Sequence, residues 1–111
     1  MEELKKRSCE PCRSGAHAMS DGEIETFKPA VSNWEILDMD GVKRLVRMFK
    51  FKNFKEALDF TVQVGTVAEQ EGHHPSILTE WGKVTVSWWT HSIGGLHAND
   101  FIMAVKTDAL Y

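Results

Sequence analysis

The stretch WEILDMDGVKRLVRMFKF, residues 34–51, contains two apolar-rich runs on either side of an Asp-Gly pair. The runs Trp34–Met39 and Val42–Phe51 have the residue pattern of strands, and Asp40-Gly41 between them is a two-residue hairpin signal. A turn of two residues can only join antiparallel neighbours. The stretch therefore predicts a β-hairpin, and with it an antiparallel sheet.

The second strand of this hairpin is apolar on both faces. Leu45, Phe49 and Phe51 fall on one face, and Val46 and Met48 fall on the other. A half-exposed strand alternates between apolar and polar residues, so this pattern indicates that the second face meets a ligand or another subunit. A chain of this size buries only roughly 65% of its unfolded surface, which also favours self-association.

Helix signals flank the hairpin. Upstream, Ser20-Asp21-Gly22-Glu23 has the form of a capping box and predicts a short helix that ends near Pro29. Downstream, Asn53 followed by Glu56 repeats the capping pattern, and Gly72 is a plausible helix stop. Between them lies an apolar stripe with spacings of three and four, which predicts a long helix: Phe54, Ala57, Leu58, Thr61, Val64 and Ala68.

The remaining sequence predicts a second hairpin and a last helix. Ile77–Trp81 and Val84–Thr90 have strand patterns, with Gly82-Lys83 as the tight turn between them. In the second of these strands we expect one face to be shared by Thr85, Ser87, Trp89 and His91. The segment His97–Leu110 has helical spacing of its apolar residues, with Asp100 in the first turn, where acidic residues suit the helix dipole.

Together these elements follow the order α-β-β-α-β-β-α. This order predicts an α+β fold, a single domain in which a four-stranded antiparallel sheet has three helices packed on one face. The length of 111 residues fits one domain. Residues 1–19 combine charges, Gly and Pro without a hydrophobic period, so we expect a loosely ordered lead-in before a single domain at 20–111.

The net charge and the hydropathy pattern argue against some classes of function. The formal net charge of -3 argues against direct nucleic-acid binding, which depends on basic surfaces. No run of about 18 apolar residues could span a membrane, and residues 1–13 lack the apolar core of a signal peptide. We therefore expect a cytoplasmic protein that binds neither membranes nor nucleic acid.

Cys9 and Cys12 form a Cys-x-x-Cys pair, which could be half of a zinc site, a redox motif or two spectator thiols. His17 could supply a third zinc ligand, but a structural zinc site needs four. A redox pair is expected between a strand and a helix, whereas this pair lies in a polar stretch and encloses Pro11. The spectator interpretation is favoured.

The candidate catalytic residues are three histidines at the ends of predicted elements, His73, His74 and His91, where functional sites are commonly built. Glu69 precedes His73 by four residues, so on a continuous helix its carboxylate could orient that ring. Pro75 favours an extended His74, so the two adjacent rings should point in different directions and be poor ligands for one metal ion. Imidazoles titrate near neutrality and can exchange protons in both directions, as general acid–base catalysis requires.

Several of the polar and aromatic residues also have simpler, non-catalytic interpretations. His17 and His97 are expected to be surface or capping residues, because they lack convergent partners. Glu69 could be a solvated helix charge, and Asp100 could serve only the helix dipole. Trp88 is expected in the core or at a subunit contact.

Taken together, these residues resemble the pterin-4a-carbinolamine dehydratase family. The motif residues are Glu69-Gln70-Glu71-Gly72-His73-His74-Pro75, Trp81, Lys83-Val84, Thr90-His91, Gly95-Leu96 and Asp100. An upstream set fits the same pattern: Trp34, Phe49-Lys50-Phe51-Lys52-Asn53-Phe54, Ala57 and Phe60. The resemblance covers roughly residues 33–105, and the segment 8–13 is similar to bacterial members that work beside an aromatic amino acid hydroxylase. At His97, family members often carry Ser or Thr as the helix cap.

The resemblance implies a metal-free dehydratase that needs no cofactor, since the pterin is its substrate. Its reaction would convert 4a-hydroxytetrahydropterin, left by a hydroxylase such as phenylalanine hydroxylase, into quinonoid dihydropterin for recycling. It also implies a homodimer or homotetramer. The implied site has His73, His74 and His91 as catalytic residues, Glu69 and Asp100 in support, and Pro75 and Thr90 positioning the substrate.

Within that site we expect His73 to be the acid for the departing hydroxyl and His91 the base at the ring N–H, or the reverse. His74 would position the pterin, and Asp100 would orient one imidazole. Two other classes remain open. One is a non-catalytic interaction or dimerisation module for a protein partner, since animal relatives also bind a transcription factor; the other is a metalloprotein that uses the histidines or cysteines.

Overall fold

We analysed a computed structural model of the protein, which describes residues 17–111. Three helices and four strands follow one another along the chain: α1 (Asp21–Phe27), β1 (Glu35–Met39), β2 (Val42–Lys50), α2 (Phe54–Glu71), β3 (Ser76–Glu80), β4 (Lys83–Trp88) and α3 (Ala98–Leu110). Short 3-10 turns at Lys28–Val31 and His91–Ile93 complete the order. The predicted α+β fold and its element order are confirmed.

Local signals in the sequence determine most of the element boundaries. The Ser20 hydroxyl accepts from the Glu23 amide at 3.2 Å while the Glu23 carboxylate accepts from the Ser20 amide at 3.0 Å, which completes the predicted capping box of α1. The Asn53 side chain accepts from the Glu56 amide at 2.9 Å and begins α2. In the first hairpin, Asp40 and Gly41 both have positive φ, 57° and 82°, as a type I′ turn requires.

The strands form one antiparallel sheet in the order β1-β2-β4-β3. One face carries the buried side chains Leu45, Phe49, Val84, Val86 and Trp88. Helices α2 and α3 pack directly on this face, and α1 joins them through a ring contact of 5.3 Å between Phe27 and Phe101. The core therefore lies between one face of the sheet and the helices.

The opposite face of the sheet, here called the outer face, carries Leu37, Met39, Met48 and Leu78, and each of these side chains is at least 39% exposed. No element of residues 17–111 covers them. The second apolar face of β2 thus belongs to this outer face. The subunit or ligand that the sequence analysis expected there stays a prediction.

Several predicted strand ends are displaced by one or two residues, and two of these differences change a turn or a strand face. The second hairpin turns at Trp81-Gly82 rather than at Gly82-Lys83, because the positive φ of 75° falls on Gly82 and Lys83 already pairs with Glu80. Strand β4 ends at Trp88 rather than at Thr90. His91 consequently begins a 3-10 turn and does not continue the strand face that the sequence predicted for it.

Within residues 17–111, no helix combines the length and the apolar character needed to cross a bilayer.

Candidate active site

The site is organised by Asp100, in the first turn of α3. The helix begins at His97, whose Nδ1 accepts from the Asn99 amide at 3.0 Å, and the His97 amide donates to the Asp100 carboxylate at 2.9 Å. His97 thus performs the capping role in which family members often use Ser or Thr. Because the capping box turns Asp100 back toward the start of the helix, its carboxylate faces the ends of the sheet rather than solvent.

The Asp100 carboxylate is fully buried, and each of its oxygens is engaged. Oδ2 accepts from the Thr90 hydroxyl at 2.8 Å as well as from the His97 amide, and Oδ1 lies 2.6 Å from His73 Nε2. A buried carboxylate is tolerated when donors satisfy it, and several donors also fix its orientation. Asp100 therefore holds His73 in a fixed place.

His73 reaches Asp100 because α2 ends two residues earlier, at Glu71. Gly72 adopts a left-handed conformation with φ of 67°, and the His73 amide donates back to the Ala68 carbonyl at 3.2 Å. The His73 ring stacks on Trp88, with centroids 5.7 Å apart and planes 15° apart. Trp88 is anchored in turn by an indole hydrogen bond of 3.1 Å to Thr107. One ring face and Nε2 are thus occupied, and Nδ1 is the nitrogen turned away from Asp100.

His74 lies beside His73 but has a different partner. Its Nε2 pairs with the Glu69 carboxylate, and both side chains are well exposed, at 61% and 78%. The predicted pairing of Glu69 with His73 is wrong. The left-handed Gly72 ends the helix before His73, so the spacing of four residues no longer places His73 on the face of Glu69. The two adjacent rings do take separate directions, and Pro75, half-buried, follows them.

His91 occupies a short loop beside this group. The loop is closed by Thr90 and Gly95, where the Thr90 amide donates to the Gly95 carbonyl at 2.8 Å. Gly95 is required here, since a Cβ at this position would approach the Ala18 Cβ to 2.8 Å. The His91 ring is exposed and rests on Trp89, with centroids 4.6 Å apart.

The structure thus brings the predicted residues together at one end of the sheet in three connected units. The first is His73 with Asp100 and Thr90, the second is His74 with Glu69, and the third is His91 on Trp89. Chain neighbours join them, because His74 follows His73 and His91 follows Thr90. The Thr90 hydroxyl donates to Asp100. Thr90, which was predicted to position the substrate, would therefore do so through that carboxylate.

Sequence reasoning missed the tryptophans that carry two of the histidines. Trp88 is in the core, as predicted, but it also supports His73, and Trp89 supports His91. The predicted strand alternation placed Trp89 and His91 on one face, but nothing local in the sequence indicates that Trp88 would meet His73. That second contact depends on where α2 returns the chain to the sheet.

Metal binding was one alternative for these residues. In the part of the chain that the structure describes, no three His, Cys, Asp or Glu side chains are grouped as a metal site would need. His17 is exposed, and Cys9 and Cys12 lie outside the described residues. A groove of about 700 Å³ lies between α1 and the first hairpin, and its lining includes none of the three histidines. We place the site at the histidines because proton-transferring groups converge there.

The molecule is thus an α+β protein in which a buried carboxylate fixes one histidine, with two more histidines beside it. A family model described as pterin 4 alpha carbinolamine dehydratase matches residues 17–110, and the chain belongs to this family.

Bacterial relatives with names from the same family are similar over nearly the whole chain. A pterin-4-alpha-carbinolamine dehydratase assigned in Syntrophotalea carbinolica is 57% identical over 110 residues, covering 99% of this chain and 98% of the relative. One assigned in Nitrosococcus oceani is 58% identical over 110 residues, covering 99% and 97%.

Solved structures show the same fold. A transcriptional coactivator/pterin dehydratase from Brucella melitensis has a TM-score of 0.76 and 32% identity, covering 85% of this chain and 98% of that one. A pterin dehydratase-like protein described as a RuBisCO assembly factor in the alpha-carboxysome has a TM-score of 0.60 and 19% identity, covering 70% and 88%. At that identity the second likeness concerns the fold alone.

Proposed function

We propose that this protein dehydrates 4a-hydroxytetrahydropterin to quinonoid dihydropterin by proton transfer between histidines. Family membership supports the substrate class. The observation that carries the mechanism is the buried Asp100 carboxylate with His73 Nε2 at 2.6 Å. Such a carboxylate fixes the plane and the free nitrogen of an imidazole, as working histidines require.

The reaction needs two proton transfers at neighbouring atoms. The bond between C4a and its hydroxyl oxygen breaks, and the oxygen takes a proton from an acid and leaves as water. A base removes the proton from the adjacent ring nitrogen, whose electrons form the new C=N bond. Acid and base groups in position contribute typically 10²–10⁴-fold each.

We assign the acid to His73 and the base to His91. His73 is held by Asp100 and Trp88, so its Nδ1 is the nitrogen that can deliver a proton to the departing hydroxyl. His91 is the exposed imidazole of the neighbouring loop and can accept the N–H proton. The two could also act with their roles exchanged, because an imidazole that has given a proton can accept one.

His74 and Glu69 form the exposed pair of the site, which suits contact with a polar substrate better than proton transfer from a fixed position. We therefore propose that His74 positions the pterin and that Glu69 orients His74. Pro75 holds the chain that carries both neighbouring rings. This division gives each predicted residue a distinct effect on kinetics.

The sharpest test of the proposed function is an absorbance assay of carbinolamine loss with and without the protein. The substrate also dehydrates unaided, so the measured quantity is acceleration above that background. We expect clear acceleration by the protein and by His17→Ala, a matched histidine control outside the site, and its loss in His73→Ala. A rate equal to background with well-folded protein would overturn the proposal.

Several accompanying expectations belong to the same proposal. If the protein acts without a metal ion or a cofactor, elemental analysis of the active protein should find no stoichiometric zinc or iron. A link to phenylalanine hydroxylase, or to another aromatic amino acid hydroxylase, predicts that the protein speeds pterin turnover in a coupled assay. The cytoplasmic location and the spectator role of Cys9 and Cys12 stay predictions.

We also propose that the protein forms a homodimer or homotetramer. The exposed Leu37, Met39, Met48 and Leu78 of the outer face support this, because apolar side chains grouped on one surface favour association. Sedimentation at micromolar concentration should show an oligomer, and a monomer would remove the inference. The same surface supports the second candidate function, an interaction module for a protein partner, and the dehydration assay separates the two.

A further inference from the structure

An arginine on the outer face lies under the tryptophan that supports His91. Leu45 of β2 pairs with Trp88, the last residue of β4, and the residues next to this pair, Arg44 and Trp89, lie side by side. The Arg44 guanidinium carbon is 3.9 Å from the centroid of the Trp89 ring. The Trp89 ring contacts His91 with centroids 4.6 Å apart and planes 51° apart. Arg44, Trp89 and His91 therefore form one continuous group of contacts with Trp89 in the middle.

Among residues 17–111, neither an ion pair nor a hydrogen bond of Nε accounts for the position of the Arg44 side chain. Its Nε is buried and has no hydrogen-bond partner, and among residues 17–111 the guanidinium takes part in no ion pair. The other arginine of β2 differs, since Arg47 pairs with Asp108 at 2.6 Å. A buried unpaired donor is unfavourable, so a native protein that keeps one has a compensating contact. For Arg44 that contact is the face of the Trp89 indole, which suits a planar cation.

His91 depends on this support. It begins a 3-10 turn in a loop, and within residues 17–111 its ring has no side-chain hydrogen bond comparable to those of His73 and His74. Its contact with Trp89 is what limits the directions in which the imidazole can point. Proton transfer requires the two atoms to be close and aligned, so a freely turning ring would react less often.

We propose that Arg44 is a positioning residue that clamps the Trp89 indole and thereby holds the His91 imidazole toward the reacting pterin. Arg44 does not touch the substrate and acts only through Trp89. The proposal rests on the proposed role of His91 in proton transfer. It identifies a determinant of the site on β2, a strand that carries none of the predicted site residues.

A double-mutant cycle tests whether Arg44 acts through His91. Arg44→Met should lower kcat about tenfold with KM nearly unchanged, because misplacing an acid–base group costs less than deleting it. In a His91→Ala background the same change should have less than about a twofold effect, since residues that act as a unit are not additive. Equal losses in both backgrounds, or no loss in either, would overturn the proposal.

Two further variants separate the clamp from a general effect of charge or folding. Lys43→Met removes a cation one residue away on the opposite face of β2 and should leave kcat within about twofold of wild type. Arg44→Lys keeps a cation over the ring without the planar stack, so it should recover part of the lost turnover. If Arg44→Met does not fold, Arg44→Lys and Trp89→Phe provide the comparison in the same cycle.

The NMR resonances of the His91 ring test the clamp independently of activity. The ring current of Trp89 displaces these resonances, and Trp89→Leu defines their position without it. Arg44→Met should move them at least about half of the way to that position, whereas Lys43→Met should not. If the protein shows this shift but no dehydration, the proposed function fails and the clamp stands. If the resonances stay in place in active Arg44→Met protein, the clamp is overturned.

Discussion

Helix α3 carries one carboxylate in its first turn and another in its last, and the two are used differently. Asp100 is fully buried and accepts from the Thr90 hydroxyl, the His97 amide and His73. Asp108 is partly exposed, and one of its oxygens accepts from the Trp34 indole at 2.9 Å and from Arg47 at 2.6 Å. Both tie the helix to the sheet.

The difference lies in the partners. Guanidinium and indole N–H groups donate hydrogen bonds and do not serve as proton acceptors, so Asp108 ties the helix to the rest of the fold. An imidazole can both donate and accept a proton, so the contact of Asp100 with His73 joins the fold to a ring that suits acid–base chemistry. We therefore expect the same residue type on the same helix to serve structure at Asp108 and proton transfer at Asp100, according to its partner.

The largest expected effect is the loss of the histidine that Asp100 holds. His73→Ala should lower kcat by about 10²-fold or more, because it removes a proton-transfer group that acts in the transition state. His91→Ala should behave similarly, and the fold should survive both changes. Steady-state kinetics at several pH values, with His17→Ala as the control, provides the measurement. Unchanged turnover in both variants would contradict the acid–base assignment.

The second prediction compares the two carboxylates directly. Asp100→Asn and Asp108→Asn should each lower the free energy of unfolding by about 1–3 kcal/mol, because each weakens charge-assisted hydrogen bonds. Only Asp100→Asn should also lower kcat, by about 10–100-fold, since it alone disturbs the orientation of a catalytic imidazole.

Denaturant unfolding and kinetics on the same preparations check both halves of this comparison. A loss of turnover in Asp108→Asn as large as that in Asp100→Asn would mean that kcat reports only the stability of α3. The distinction between a structural and a functional end of α3 would then be wrong.

The sequence predicts the fold well because its signals are local. The Asp40-Gly41 turn, the capping residues Ser20 and Asn53, and the helix stop at Gly72 each act within a few residues, and the structure confirms them. The second hairpin was displaced by one residue, because Gly82 could occupy either turn position in the sequence and only its positive φ decides.

The pairings in the site were harder to predict, for two reasons. The expectation that Glu69 meets His73 assumed a continuous helix, although the predicted stop at Gly72 already implied that His73 lies beyond it. The contact of Trp89 with Arg44 depends on β4 lying beside β2, two strands separated in sequence by α2 and β3, and the contact of Trp88 with His73 depends on where α2 ends against the sheet. Residue spacing carries no information on that neighbour relation.

The third prediction concerns the exposed pair of the site. His74→Ala should raise KM about 5–10-fold with kcat within about threefold, because a uniform contact contributes to binding in both the ground and the transition state. Glu69→Gln should have a smaller effect in the same direction, since it keeps the shape and loses only the ion pair. If His74→Ala lowers kcat as strongly as His73→Ala does, the division between positioning and proton transfer is wrong.

The smallest expected effect belongs to a carboxylate that is exposed, Asp21 in the first turn of α1. The hydrogen bond from Lys43, and then its positive charge, lower the pKa of this carboxyl below its ordinary value of 3.8. A carboxyl with a lowered pKa in the folded state stabilises the fold above its unfolded pKa, and this contribution disappears as the pH falls through the folded value.

Asp21→Asn should therefore lower the thermal midpoint slightly near neutral pH, and the difference from wild type should vanish in acid below 3.8. Thermal unfolding at a series of pH values measures it, and Lys43→Met should show the same pattern, because either change removes the same pair. Added salt should also shrink the difference, since water and ions screen exposed charges far more than the buried contact of Asp100. A difference that persists in acid would show that Asp21 stabilises the fold by something other than its charge, and therefore not through Lys43.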